Sequence, residues 1–331
     1  ARRVAAPDLA GAVALVAGGS RGLGLLIAEE LVARGARVAI FARDAQELGA
    51  AVARLSEGGG EVLAIPADVR HREQVEAAVG RVVETFGGLD LLFNVAGVIT
   101  VGPLATMSLD DFEDEMATHF WGPLHCVRAA RPYLQRSHLA RVANISSIGG
   151  KVSVPHLGPY SASKAALVGL SGAMRNELAA EGIRVTTVCP GLMRTGSHVR
   201  ARFKGDRKAE FAWFAVSSSA PLVTIDARRA ARKIVEATRQ GRTELTFNWS
   251  AQALALLARA APGPVSLAMR ATSALLPDAL APVAERSTEP TEGWRHPSRW
   301  APSLLTRRND RAAKENLELT GEAAAYPVGG G

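Results

Sequence analysis

Short apolar runs alternate with amphipathic segments along the first two thirds of the chain. Runs of this kind, separated by segments with helical periodicity, indicate buried strands that alternate with helices. That order implies right-handed crossover connections between parallel strands. The pattern therefore predicts an α/β fold with a doubly wound parallel sheet in a single domain. The apolar runs lie at 12–17, 37–42, 61–66, 89–94, 141–145 and 182–188.

The pattern changes near residue 249. Two stretches rich in Leu and Ala, 251–261 and 265–276, predict two short helices around Pro262-Gly263-Pro264. These helices either pack on the domain or a second subunit, or form a hairpin that rests on a membrane. Beyond them Pro, Gly, Arg and Glu dominate, which predicts an extended, partly disordered tail. We expect three parts: a domain at 10–248, an apolar helical extension at 249–276 and a tail at 277–331.

Composition and charge narrow the class of protein. With 331 residues and 47% hydrophobic content, the chain can bury a core large enough to fold unaided. The net charge of +7 is spread along the chain, so phosphorylated cofactors and membrane surfaces are acceptable partners. Nucleic acid is not expected, because no nucleic-acid motif accompanies the charge. We expect a small-molecule enzyme or binding protein that forms a homo-dimer or homo-tetramer.

Cysteine usage and hydropathy bear on the compartment. Cys126 and Cys189 are far apart and lack metal-ligand spacing, so neither a disulfide framework nor a metal site is predicted. No apolar run reaches the roughly 18–20 residues that span a bilayer, and no secretory segment precedes the first strand. The expected location is the cytoplasm, with membrane association if the 251–276 hairpin binds lipid.

A glycine-rich turn follows the first apolar run and opens a helical segment. Glycines without Cβ let the backbone approach a pyrophosphate, and free amides at a helix start attract its charge. Strand, glycine turn and helix in this order predict a dinucleotide site. Its phosphate-binding residues are Gly18, Ser20, Arg21, Gly22, Leu23 and Gly24.

The second run ends in Ala42 and Arg43, where many NAD sites place an acid that binds the ribose 2′-hydroxyl. Arg43 and Arg21 together can hold a 2′-phosphate instead, which predicts NADP(H). Two alternatives are that both arginines are ordinary surface residues, or that Asp44 pairs with Arg43.

Two later strand ends carry further candidates for cofactor binding. Asp68 and Val69 follow the third run, where Asp68 can accept a hydrogen bond from an adenine amine. Asn94, Ala96 and Gly97 follow the fourth run, and small residues there let the backbone lie close to a ring. The alternative for this last segment is an ordinary strand-end turn.

Tyr160 and Lys164 are four residues apart and therefore share one helix face. A neighbouring cation favours the phenolate, which brings tyrosine within reach of acid–base chemistry near neutral pH. Taken alone, this spacing is more typical of a solvated helix face. Ser146 and Ser147 follow the fifth run, where they either bind a substrate oxygen or cap a turn.

In order along the chain, the motifs AGGSRGLG, DV, NVAG, SS, YSASK and PG make residues 10–245 resemble the short-chain dehydrogenase/reductase family. The resemblance implies a Rossmann-like fold and NADPH-dependent interconversion of a ketone or aldehyde with an alcohol. It implies that Ser147 holds the carbonyl and Tyr160 is the acid–base. Lys164 would lower the pKa of Tyr160 and bind the nicotinamide ribose. The resemblance also adds Pro190, Gly191 and Thr195 to the cofactor site.

One position departs from the family pattern. The family has Asn-x-x-Gly on the long helix, whereas this chain has His119 three residues before Gly122. In the family the asparagine supports a proton relay behind the lysine. Histidine can replace one donor and one acceptor and titrates near neutrality, so we predict a retained relay. The alternative is that His119 is a packed helix residue.

The segment 193–220 is predicted to be the substrate lid. Its aromatic residues, interspersed with basic ones, favour a bulky apolar or lipid-like carbonyl compound, although they can also form only a local core. An alternative function is a non-catalytic NADP(H)-binding sensor or scaffold on the same fold, for which His119 is the only hint. The aromatic residues are Phe203, Phe211, Trp213 and Phe214.

Overall fold

A parallel sheet of seven strands forms the centre of the computed structural model, which describes residues 7–220, 224–247, 249–277 and 287–328. Arg2, Arg3 and the glycines at 329–331 lie outside the described residues. Numbered along the chain, the described strands are β1 (Val13–Ala17), β2 (Arg37–Ala42), β3 (Val62–Pro66), β4 (Leu91–Asn94), β5 (Thr100–Val101), β6 (Arg141–Ile145), β7 (Arg184–Val188), β8 (Met193–Arg194), β9 (Arg202–Gly205), β10 (Ile225–Asp226), β11 (Glu244–Leu245) and β12 (Ser287–Glu292).

The helices connect the strands and cover both faces of the sheet. They are α1 (Gly22–Val32), α2 (Ala45–Ser56), α3 (Arg72–Phe86), α4 (Leu109–Met116), α5 (Gly122–Leu134), α6 (Gly158–Leu178), α7 (Arg207–Ser217), α8 (Ala227–Arg239), α9 (Trp249–Ala260), α10 (Pro262–Ser273) and α11 (Arg307–Glu315). No helix in the described part of the chain is long and apolar enough to cross a membrane.

The strand order is β11-β7-β6-β4-β1-β2-β3, and all neighbours in this sheet run parallel. The order reverses at β1, which pairs with β2 on one side and β4 on the other. Ligands of doubly wound sheets bind at such a reversal, outside the carboxyl ends of the strands. The predicted fold and its six strands are confirmed. β11 was not predicted because two residues carry no readable pattern.

Two apolar layers hold the helices on the sheet. One layer packs α1, α2 and α8 against one face of the sheet, with Ile27 and Ile234 among its members. The other packs α3, α5 and α6 against the opposite face, with Val79 and Leu178 among its members. Strand β1 contributes alternate side chains to both layers, as expected for a central strand with a side-chain period of two.

The long helix that carries His119 is interrupted by a π-helical turn. Between α4 and α5, residues Ala117–Trp121 form five positions of π-helix. Pro123, in the first turn of α5, has no backbone N–H to donate and its ring would crowd the carbonyl of His119 in a regular α-helix. The wider π turn relieves this conflict, and it places His119 inside the protein.

The C-terminal region differs from its prediction. The two helices around Pro262 are present as α9 and α10, but the following segment is not an extended tail over its described part. β12 pairs antiparallel with β9. Helix α11 packs on the domain through Ala313, and Tyr326, which follows α11, belongs to the same buried cluster. A few isolated apolar residues suffice to anchor a polar segment on a large core, and average composition does not reveal them. The boundaries at 248 and 276 stay predictions.

Candidate active site

A cavity of about 790 Å³ lies at the carboxyl ends of β1, β2, β4 and β6, at the point where the strand order reverses. We refer to it as the central cavity. Of the predicted site residues, those that line it are Gly18, Ser20, Arg21, Gly22, Leu23, Gly24, Arg43, Asp68, Val69, Ala96, Gly97, His119, Ser147, Tyr160, Lys164, Pro190, Gly191 and Thr195.

Ser147 and Tyr160 converge at one end of the central cavity. Ser147 follows β6 and caps a short 3-10 turn by accepting a hydrogen bond of 3.1 Å from the Gly149 N–H. A Cβ added to Gly149 would lie 3.3 Å from a ring carbon of Tyr160 and 3.5 Å from Oγ of Ser147. Glycine at this position avoids a tight contact with the phenol and leaves it slightly more room beside the serine. Because Oγ of Ser147 acts as the acceptor toward Gly149, its own proton can be donated to another group.

Lys164 lies one turn after Tyr160 on α6 and is buried. Its Nζ donates a hydrogen bond of 2.9 Å to the carbonyl of Ile145 and lies 5.7 Å from the centre of the Tyr160 ring. Burial lowers the pKa of Lys164 to about 8, and Glu115 opposes this. At pH 7 the side chain is therefore mainly an ammonium.

The pKa of Tyr160 shifts in the direction opposite to the prediction. Burial raises it to about 12, and the hydrogen bond with Ser147 opposes this only in part. Partial burial of the phenol in the cavity wall disfavours the phenolate, and the Lys164 ammonium, 5.7 Å from the ring centre, does not outweigh this effect. Tyr160 is thus a neutral phenol at pH 7, which is the form that donates a proton.

His119 uses both ring nitrogens within the protein. Nε2 accepts from the N–H of Val98 at 3.2 Å, and Nδ1 lies 2.8 Å from Oγ of Ser163. Since a backbone N–H only donates, the hydrogen bonds assign the proton to Nδ1. Burial lowers the pKa of His119 well below its usual value, and Lys164 acts in the same direction. The ring is neutral and packs edge-on against Tyr160, with centroids 5.6 Å apart.

Glu115 is a buried neighbour of His119 that the sequence analysis missed. Its Oε1 accepts a hydrogen bond of 2.7 Å from the Thr100 N–H, and its Oε2 lies 3.8 Å from Nδ1 of His119. Burial raises the pKa of Glu115 to about 8, although the hydrogen bond from Thr100 acts against this. An acid four residues before His119 was the available signal, but helical acids near an N-terminus are common.

The glycine turn is shaped as a phosphate-binding turn. Gly18 and Gly22 have φ of +85° and +56°, a region that favours glycine. A Cβ at Gly18 would lie 2.6 Å from Cα of Ala96, and one at Gly24 would overlap the carbonyl of Gly18. This close cradle, the start of α1 and the Arg21 guanidinium fit the pyrophosphate and ribose end of a nicotinamide dinucleotide.

Arg21 is paired with two carboxylates. Its Nη1 lies 2.7 Å from Oε2 of Glu318, and its Nε lies 3.3 Å from Oε2 of Glu47. Asp44 caps α2 by accepting from the N–H groups of Gln46 and Glu47, so its carboxylate serves the helix. The predicted partner Arg43 lies at the cavity wall.

Two predicted cofactor residues have partners inside the protein. Asp68 forms an ion pair of 2.6 Å with Arg70. Burial raises the pKa of Asp68, but the hydrogen bonds from Arg70 outweigh burial and leave it below its usual value. Asn94 does not line the cavity, because its amide donates to Oδ1 of Asn144 at 2.8 Å and joins β4 to β6.

The aromatic residues of 193–220 form a local core. Phe203 and Phe211 are fully buried and meet edge-to-face, with centroids 5.5 Å apart. Phe214 and Tyr326 belong to the same cluster. The prediction that these rings form a ligand surface is therefore wrong for Phe203 and Phe211, and the alternative of a local core is correct. The spacing of aromatic residues could not distinguish these two cases.

Comparisons with known proteins agree with this geometry. A family model described as short chain dehydrogenase matches residues 12–204. The ketoacyl reductase HetN of Nostoc sp. is 34% identical over 202 residues, which covers 61% of this chain and 70% of that protein. The 3-oxoacyl-[acyl-carrier-protein] reductase FabG of Staphylococcus aureus is 35% identical over 181 residues, covering 54% of this chain and 74% of that protein.

A solved structure gives the same result for the fold. A short chain dehydrogenase/reductase from Burkholderia phymatum, crystallised in complex with NAD, superposes with a TM-score of 0.69 at 25% sequence identity. The match covers 77% of this chain and 95% of that one. The match therefore leaves part of this chain without a counterpart.

Proposed function

The chain belongs to the short-chain dehydrogenase/reductase family, and from that premise we propose that it is an NADPH-dependent oxidoreductase interconverting a ketone or aldehyde with an alcohol. The observation that carries the proposal is the convergence of Ser147 and Tyr160 at Gly149, with the Lys164 ammonium one helical turn away. All three residues line the same cavity as the glycine turn. One bound dinucleotide can therefore reach from the turn to the phenol.

The proposed mechanism assigns one task to each side chain. The Ser147 hydroxyl and the Tyr160 phenol donate hydrogen bonds to the substrate carbonyl oxygen and orient it. NADPH, when bound, supplies the hydride that the carbonyl carbon receives. Tyr160 then gives its proton to the developing alkoxide, which leaves an alcohol and a phenolate. The Lys164 ammonium stabilises that phenolate, and it is charged at pH 7 because its pKa is about 8.

The proposed preference for NADP(H) rests on basic residues at the end of the central cavity that lies near the glycine turn. Arg21, Arg43 and Arg200 line this region. Strand β2 ends in Ala42 rather than in an acid that would bind a ribose 2′-hydroxyl. An arginine fork suits the 2′-phosphate of NADP(H).

A bulky apolar or lipid-like substrate is the proposed class. Two similar proteins are named as ketoacyl and 3-oxoacyl reductases. The α9–α10 hairpin packs near the cavity, because a Cβ at Gly191 would touch that of Ala251 at 3.6 Å. Its outward face exposes Leu256, Leu257 and Leu267. We propose that this face contacts a membrane surface from which an apolar substrate enters.

Two further properties are proposed on general grounds. Both cysteines are buried free thiols, which suits a reducing compartment such as the cytoplasm. A homo-dimer or homo-tetramer is the proposed assembly, and light scattering of the purified chain measures its molar mass directly. A monomeric mass would contradict the proposed assembly.

The decisive experiment is a substrate screen that follows NADPH absorbance with ketones, 3-oxoacyl thioesters and steroids. We expect turnover with at least one apolar member, and a fall of about 10²- to 10⁴-fold in Tyr160→Phe. NADPH affinity should stay the same in this variant. Tyr133→Phe is the control, since this tyrosine lies on α5 outside the cavity lining. Turnover of Tyr160→Phe near the wild-type rate would refute the mechanism, and nucleotide binding without any turnover would favour the non-catalytic sensor or scaffold.

A further inference from the structure

The segment that follows α11 lies on the glycine turn. The N–H of Gly22 donates a hydrogen bond of 2.8 Å to the carbonyl of Asn316. The side chain of Asn316 in turn donates to the carbonyl of Thr195 at 2.9 Å. Leu317, the next residue, has φ of +57°, which is an uncommon conformation for a residue with a Cβ. The surrounding contacts therefore hold this segment in a defined position against the start of α1.

This backbone conformation places the side chain of Glu318 beside the glycine turn. Its Oε1 would lie 2.5 Å from a Cβ added to Gly22, and its Oε2 accepts a hydrogen bond of 2.7 Å from Nη1 of Arg21. Only 5% of the residue is exposed. The carboxylate is an anion of this chain's own, placed at the first residue of a helix where anions are favoured.

Arg21 is already paired with carboxylates of the protein. Glu47 contacts Arg21 from α2 and also contacts Arg200 at 3.2 Å. Arg200 donates to the carbonyl of Glu318 and to Thr320. A 2′-phosphate brought to Arg21 would meet two carboxylates, and like charges at short range repel strongly in a buried site. Glu318 lies on the segment that follows the short helix α11, whereas Glu47 lies on α2, which packs against the sheet.

We propose that Glu318 is a specificity-determining residue, which competes with the 2′-phosphate of NADP(H) for the guanidinium of Arg21. The inference rests on the proposed function, because it assumes that a nicotinamide dinucleotide occupies the central cavity. NADP(H) binds only as Glu318 leaves Arg21, and NAD(H), which has no 2′-phosphate, binds without this exchange. The C-terminal segment thereby reduces the preference for NADP(H) over NAD(H) that Arg21 and Arg43 create.

The first test compares dissociation constants of NADPH and NADH for the wild type and Glu318→Gln by calorimetry. The amide keeps the shape and an acceptor for Arg21 but removes the negative charge. We expect NADPH to bind about tenfold more tightly and NADH to change by less than about twofold. Glu322→Gln is the matched control, since Glu322 is exposed and pairs with Arg295 outside the cavity lining. In an Arg21→Gln background, the effect of Glu318→Gln should disappear.

A second measurement uses the wild-type chain and does not depend on the folding of a variant. Hydrogen exchange of residues 316–318 is followed with 2′,5′-ADP and with 5′-AMP, two probes that differ by the 2′-phosphate. We expect faster exchange of this segment with 2′,5′-ADP only.

The outcomes separate this inference from the proposed function. Equal changes in NADPH and NADH affinity for Glu318→Gln, or equal exchange with both probes, would overturn the role of Glu318 and leave the enzyme assignment intact. A selective gain in NADPH affinity without any turnover would support Glu318 and contradict the proposed reaction. A wild type that binds neither dinucleotide would overturn both.

Discussion

Nδ1 of His119 lies 2.8 Å from Oγ of Ser163, and this contact joins the π turn to the helix that carries Tyr160 and Lys164. The Ser163 hydroxyl accepts from Nδ1 and in turn donates a hydrogen bond of 3.0 Å to the carbonyl of Tyr160. Nε2 of the same ring holds the N–H of Val98 beside the cavity. Because both nitrogens are engaged and the ring is neutral, the geometry favours His119 as a positioning residue over a titrating relay.

His119→Asn tests that role. The shorter amide cannot reach both Val98 and Ser163, so we expect a loss of about 1–3 kcal/mol in the free energy of unfolding and a lower turnover. The pH–rate profile should keep its shape, because the pKa of His119 lies well below its usual value. Denaturant titrations and rate profiles between pH 5 and 9 measure both properties. The loss of a titration step in the variant would instead identify the predicted relay. Ser163→Ala is the companion variant, and its effect should not add fully to that of His119→Asn.

Glu115 should make the stability of the protein depend on pH. Its folded pKa of about 8 lies above its usual 4.5, so between these values the folded state binds more protons than the unfolded state. The contribution is complete below about pH 4.5 and is lost as the pH rises through about 8. Glu115→Gln removes it and keeps an acceptor for the Thr100 N–H. We therefore expect the variant to gain stability relative to the wild type on going from pH 5 to pH 8.

Urea unfolding at these two pH values provides the measurement. Glu113→Gln is the control, since Glu113 lies on the same helix and is exposed. If the difference between Glu115→Gln and the wild type were the same at pH 5 and pH 8, the carboxyl of Glu115 would have an ordinary pKa.

The exposed hairpin predicts membrane binding. Replacing Leu256, Leu257 and Leu267 by Ser removes three apolar side chains from the exposed face of α9–α10. Each side chain that enters a lipid interface contributes on the order of 1.5–3 kcal/mol at full burial, so the triple variant should lose most of its binding to liposomes. Flotation with anionic vesicles measures this, and Leu304→Ser is the control because Leu304 is even more exposed and lies outside the hairpin. If the triple variant and the control floated equally, the exposed leucines of the hairpin would not be the membrane contact.

The sequence alone was sufficient for six strands of the sheet, the glycine turn and the Tyr160–Lys164 pair. Each of these depends on local rules: apolar runs of strand length, glycine where a positive φ is needed, and side chains four apart on one helix face. Such rules act between residues close in the chain, so the letters in one window are enough to apply them. The family motifs added the roles of Ser147 and Thr195, and the structure places both at the cavity.

Only the tertiary structure decided the environment of those residues. Arg21 and Glu318 are 297 positions apart, and no local pattern could indicate that they pair. The buried state of Glu115 and Phe211, and the raised pKa of Tyr160, follow from how many elements surround each side chain. Burial and charge pairing are sums over the whole packed molecule, and for that reason the fold could be predicted from the sequence whereas the chemistry at each end of the central cavity could not.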